Sequence, residues 1–192
     1  MALTIARFAA APIVAGLVFL ASQLLYTEGR DWTVTVLVFA LVVFVLAALT
    51  DWLDGALARK LDATSVLGAA LDHAADKALT TATLVALGAT FLPLDLTIAA
   101  ALLVTRDIAV GGLREGLSLS GRALPVASLG KLKTVVTMVA IGAAIALQIA
   151  RLVIAEGAIV SVVEVITRFT LWSAVILGLW SAVEYFAAAF RK

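Results

Sequence analysis

Four aspartates, Asp51, Asp54, Asp72 and Asp76, stand close together in a chain that is otherwise strongly apolar. A charged side chain near the middle of a membrane span costs on the order of 2.5–3.5 kcal/mol on insertion scales, so carboxylates in such a setting need a chemical reason. On a helix, the spacing of three from Asp51 to Asp54 and of four from Asp72 to Asp76 places each pair on one face, a two-carboxylate claw. Left alone, buried like charges repel one another and retain protons, and a divalent cation removes that cost. The chain has no cysteine and one histidine, which excludes a thiolate site and a histidine cluster, so any metal must be held by oxygen. Mg²⁺ or Mn²⁺ suits such a donor set, and Mg²⁺ commonly takes a few carboxylates and completes its sphere with substrate phosphates.

The neighbours of the first claw suit a ligand. Gly55 and Ala58 are small enough to let one lie against the backbone, and Arg59 offers planar donors to a phosphate. A purely structural ion-pair network would need more positive charge than Arg59 and Lys77 supply.

The elements that position these residues must cross a bilayer. Of 192 residues, 64% are hydrophobic and 14% charged, which excludes a water-soluble enzyme; the net charge of +1 offers no general basic surface for nucleic acid. Apolar runs near residues 4 to 26, 33 to 50, 66 to 91, 95 to 117, 132 to 155 and 169 to 190 predict an all-α protein of six membrane-spanning helices in a single domain over 1–192. The stretch Ser161 to Arg168 is read as part of the fifth junction. Arg59 and Lys60, the group Arg114, Arg122, Lys131 and Lys133, and the terminal Arg191 and Lys192 place both chain ends and the acidic site towards the cytoplasm. Arg59, Lys60, Asp62 and Ser65 mark the turn of a helical hairpin whose arms carry both claws to a similar depth, roughly 15 Å from the turn. Trp32, Trp172 and Trp180 read as interfacial or packing residues, and Gly111, Gly112 and Gly116 either as a close helix contact or as space for a ligand.

Asp51, Asp54, Gly55, Ala58, Arg59, Gly68, Asp72 and Asp76, at these spacings, match the motif of the CDP-alcohol phosphotransferase family, which this chain resembles over essentially its whole length. The resemblance implies a six-helix membrane enzyme, usually a homodimer, that transfers a phosphatidyl or related group from a CDP-linked donor to an alcohol and releases CMP. It implies two divalent ions on Asp51, Asp54, Asp72 and Asp76, donor binding by Gly55, Ala58, Arg59 and Gly68, and Asp76 as the general base. Further stretches, Thr50 to Gly55, Arg106 to Glu115 and Gly130 to Met138, are similar to the bacterial branch that uses CDP-diacylglycerol and glycerol 3-phosphate in the inner membrane, and Leu3, Thr4, Arg7 and Pro12 resemble its amino-terminal segment. His73 departs from that branch, which usually has proline there; a lone histidine in this place reads as a packing or hydrogen-bonding residue.

A phosphorylated acceptor needs its own cationic pocket. Arg106, Arg114, Lys131 and Lys133 suit it, because Arg106 and Arg114 are eight apart, close to one helical face, and the two lysines begin the next span. Alternatives are a sister enzyme that uses serine, inositol phosphate or phosphatidylglycerol as acceptor, a cation transporter, and a membrane scaffold without turnover. The outer halves of the spans are almost devoid of the polar residues that a transport route needs.

Overall fold

The computed structural model describes residues 2–61, 66–119, 128–154 and 157–190, with the side chains of 2–3, 51–67, 69 and 128–131 outside that description. Its elements are six helices: α1 (Ala2–Thr27), α2 (Arg30–Leu61), α3 (Val66–Thr90), α4 (Leu94–Leu119), α5 (Ser128–Val153) and α6 (Ala158–Phe190). Five of them are long and apolar enough to cross a membrane, which makes this a multi-pass membrane protein. The remaining helix, α3, carries Asp72, His73, Asp76 and Lys77 in its first half, and these polar residues lower its apolar character.

Short turns reverse the chain. At the α1–α2 turn Gly29 adopts φ 86°, a left-handed conformation that suits glycine. The amides of Glu28 and Gly29 both donate to the Leu24 carbonyl, and the Gly29 carbonyl then accepts from the amide and the hydroxyl of Thr33, closing one helix and opening the next. Between α3 and α4, Pro93 accepts from the Thr97 amide, and the Thr97 hydroxyl donates back to the carbonyls of Gly88 and Leu92.

The packing order differs from the chain order. The predicted hairpin would lay α2 and α3 against each other, but among the described residues they meet only briefly, and α1 packs against both. Buried small and branched residues of α1, Ala10, Ala11, Val14, Val18 and Ala21, let it fit between them. α5 packs on α6 and α2, and α4 on α6 and α3. Leu37, Leu87, Leu96, Leu103, Ile141, Ile145 and Leu171 bring all but α1 into one apolar core, which α1 joins through Val14 and Val18. The outside is as apolar as the inside: Phe39, Leu46, Ile98, Ile176 and Val183 are exposed, as are Trp32, Trp172 and Trp180, which suits a lipid-facing surface.

The sixth helix corrects the sequence expectation. It starts at Ala158, so the segment Ser161 to Arg168 is helical and not a connecting stretch. Nothing there breaks a helix: Arg168 pairs with Glu164 one turn back, and the hydroxyls of Ser161 and Thr167 bond carbonyls four residues earlier. With 33 residues the helix is about 50 Å long, more than the hydrocarbon core of about 30 Å requires.

Candidate active site

The polar residues gather at one end of the bundle, where α1, α3 and α5 begin and α2, α4 and α6 end. Asp51, Asp54, Gly55, Ala58 and Arg59 lie on the final turns of the continuous helix α2, and their side chains, like that of Lys131 in the first turn of α5, are outside the described set. Gly68 is half-buried in the first turn of α3. Among the described residues no group of three acidic or histidine side chains could hold an ion by itself.

Asp72 is half-buried, and its Oδ1 accepts from Nη1 of Arg7 on α1 at 2.8 Å. The Arg7 side chain has no solvent exposure, so a buried cation lies directly against one carboxylate of the second claw. The sequence count of counter-charges, Arg59 and Lys77, missed it, since a basic residue near a chain end reads as an ordinary topological signal. Asp76, one turn further along α3, is buried; among the described residues its Oδ1 has no hydrogen-bond partner, and its Oδ2 lies 3.6 Å from Nζ of Lys77. An unsatisfied buried carboxylate oxygen is costly unless a ligand completes it. The acidic face of α3 therefore fits a bound cation, which would satisfy that oxygen.

On the facing helices the hub is Asp107, a residue that the sequence reading did not assign to the site. Both of its oxygens accept from Nζ of Lys133 at 2.7 Å, Oδ2 also accepts from Lys77 at 3.0 Å, and Oδ1 from Nη1 of Arg106 at 2.9 Å. One carboxylate thus ties α3, α4 and α5 together. The only signal in the sequence is that Asp107 adjoins Arg106 in an apolar run, which does not reveal its lysine partners.

Arg106 is buried and turned to α6. Its Nε donates to the Gly178 carbonyl at 2.9 Å and its Nη2 to the Ser181 hydroxyl, so each of its three nitrogens is engaged by the protein. The structure brings Arg106 and Lys133 together on Asp107. Arg114, two turns beyond Arg106, is half-buried, and His73 is exposed. Among the described residues, a Cβ added at Gly111, Gly112 or Gly116 would meet nothing within 4 Å, so these glycines border open space there. At Gly178 the neighbours are close: a Cβ would lie 3.6 Å from Leu103 and 3.7 Å from both Arg106 and Lys133.

Among the described residues, the acidic face of α3 lies beside a group of cations on α4 and α5, an arrangement that suits phosphorylated molecules. The family model for CDP-alcohol phosphatidyltransferase matches residues 1–180, and the chain belongs to that family. It is similar to proteins named CDP-diacylglycerol--glycerol-3-phosphate 3-phosphatidyltransferase. That of Wigglesworthia glossinidia brevipalpis is 34% identical over 155 residues, 80% of this chain and 79% of the relative. That of Sodalis glossinidius (strain morsitans) is 35% identical over 150 residues, 77% and 76% of the two chains. The Cereibacter sphaeroides relative is 41% identical over 140 residues, 72% of this chain and 59% of its own length.

Proposed function

We propose that this chain transfers the phosphatidyl group of CDP-diacylglycerol to glycerol 3-phosphate, giving phosphatidylglycerophosphate and CMP. The observation that carries the reading is the buried Asp76, with one oxygen unpaired among the described residues, next to the cations gathered on Asp107. A general base and an anion-binding region lie side by side, as the attack of a phosphorylated alcohol requires.

Donor and acceptor meet between α2–α3 and α4–α5. Gly55, Ala58, Arg59 and Gly68 bind the CDP moiety, while the acyl chains remain in the bilayer. Asp51, Asp54, Asp72 and Asp76 would hold divalent metal, two ions of Mg²⁺ or Mn²⁺, which would neutralise the charge of the pyrophosphate and so favour departure of CMP. Arg7 fixes the Asp72 carboxylate from behind. Asp76 accepts the proton of the acceptor's free primary hydroxyl as its oxygen bonds to the phosphorus bearing diacylglycerol; the bond from that phosphorus to the bridging oxygen breaks, and CMP leaves with that oxygen. Arg106, Arg114, Lys131 and Lys133 form the cationic side that receives the acceptor, Arg106 by holding α4 against α6. The chain acts as one domain over 1–192, as a homodimer in the bacterial inner membrane, with both ends and the site towards the cytoplasm.

The test is release of CMP from CDP-diacylglycerol by the purified protein in mixed micelles with Mg²⁺. Release that depends on glycerol 3-phosphate is expected. Equal release with serine, inositol phosphate or free glycerol refutes the acceptor assignment, and no release with any alcohol refutes the transfer reaction.

A further inference from the structure

Three cations, Lys77, Arg106 and Lys133, surround Asp107, and they are not equivalent. The side chains of Arg106 and Lys133 are only 7% and 2% exposed, against 22% for Lys77. Arg106 is bound to α6, and Lys133 spans both oxygens of Asp107 from within. These two alone exceed the charge of the carboxylate, so Lys77 is not needed to neutralise it. Counting Asp76 as well, the group has three cations against two carboxylates, a surplus that favours an anion. Lys77 also touches both sides of the site, with Nζ 3.0 Å from Asp107 and 3.6 Å from Asp76.

We propose that Lys77 receives the phosphate of the acceptor, with Asp107 as the positioning residue that holds its ammonium towards the site, and that Arg106 serves as a strut and not as a phosphate ligand. The inference rests on the acceptor being a phosphorylated alcohol, as argued above. An ammonium carries three donors, so Lys77 can keep its bond to Asp107 and still donate to a phosphate oxygen at about 2.7–2.9 Å. A phosphate monoester, whose second pKa is about 6, carries close to two negative charges at neutral pH and matches the surplus. Because Asp76 directly precedes Lys77 and its Oδ2 lies beside the ammonium, a phosphate held there leaves a short three-carbon chain to carry the free hydroxyl to the base. Lys77 thus sets acceptor choice: an alcohol lacking phosphate forgoes this contact.

The experiment compares Lys77→Gln and Lys77→Arg with wild type in micelles, measuring KM for each substrate. Lys77→Gln is expected to raise the KM for glycerol 3-phosphate by about ten- to a hundredfold and leave that for CDP-diacylglycerol unchanged, with Lys77→Arg restoring most of the loss. A merely structural lysine would shift both constants or neither, and that result overturns the proposal. A second measurement needs no variant: in wild-type protein, acetic anhydride labelling of Lys77, read by mass spectrometry, should be slowed by glycerol 3-phosphate and not by glycerol. Absence of such protection also overturns it. Failure of the acceptor reading looks different, since wild type would then release CMP with another alcohol or not at all.

Discussion

Gly178 is where the packing of the bundle and the geometry of the site can be separated by substitution. Its carbonyl accepts from Arg106, and a Cβ there would lie 3.6 Å from Leu103 Cδ2 and 3.7 Å from Arg106 Cδ and Lys133 Cγ. These are ordinary van der Waals separations, so Gly178→Ala fits without displacing a neighbour. Since glycine within a helix is less stable than alanine by roughly 0.5–1 kcal/mol, that variant should unfold at the same denaturant level as wild type or a slightly higher one. Gly178→Leu is different, because its outer carbons must enter the space of those three side chains. Overpacking costs about 1–3 kcal/mol. It also pushes on Arg106 and Lys133, both bonded to Asp107, so catalysis should fall with stability. Unfolding of the purified protein by SDS in mixed micelles, followed by fluorescence of its four tryptophans, gives the first quantity, and CMP release gives the second. If the alanine variant lost more than about 1 kcal/mol, the ordinary spacing around Gly178 would be refuted, and if the leucine variant matched wild type in both assays, the close approach of α6 to α4 and α5 would be refuted.

Three further outcomes follow from the site. Asp76→Asn keeps the shape of the base but not its proton affinity, so turnover should drop below about a tenth of wild type with donor KM little changed, general-base catalysis being worth about 10²–10⁴-fold; a smaller loss removes the base assignment. Asp51→Ala and Asp72→Ala should each raise the half-activating Mg²⁺ concentration, and Asp72→Ala should also lower stability, because it leaves buried Arg7 without this carboxylate; unchanged metal titrations in both would exclude these residues. Arg114→Ala should raise the KM for glycerol 3-phosphate by about ten- to a hundredfold while sparing that for CDP-diacylglycerol, and a selective loss of donor affinity would place Arg114 in the other pocket.

The helical class, and the placement of the aspartates on helices, were legible because both are local properties. Apolar run length marks the spans, and a spacing of three or four marks a shared helical face. What the sequence could not convey is how faces meet. Arg106 and Asp107 are neighbours that point about 100° apart on a helix, and only the packing of α3, α5 and α6 decides that one grips Gly178 and Ser181 while the other gathers two lysines. Arg7 is an example over longer range, lying 65 residues from Asp72 and reaching it only because α1 packs between α2 and α3. The start of α6 was misread for the opposite reason: Ser161, Glu164 and Arg168 are polar, but their bonds are made within and beside a helix that continues through them.

Those same bonds explain why the cations can be held steady. At the end of the bundle away from the site, Arg168 pairs with Asp95 of α4 and with Glu164, which pairs in turn with Arg151 of α5. Each of these side chains is partly exposed, so any one pair contributes little. As a chain of contacts, however, they join α4, α5 and α6 at one end, while Asp107, Lys133, Arg106, Gly178 and Ser181 join the same three helices at the other. The cationic half of the proposed site therefore stands on a unit fastened at both ends, and the described carboxylates Asp72 and Asp76 stand on α3, against which α1 packs. Transfer between two substrates has to occur where those halves face each other. Lys77 is on that boundary, carried by the carboxylate helix and bonded to the hub of the cationic unit, so a change there should affect how the substrates are brought together before it affects how either half folds.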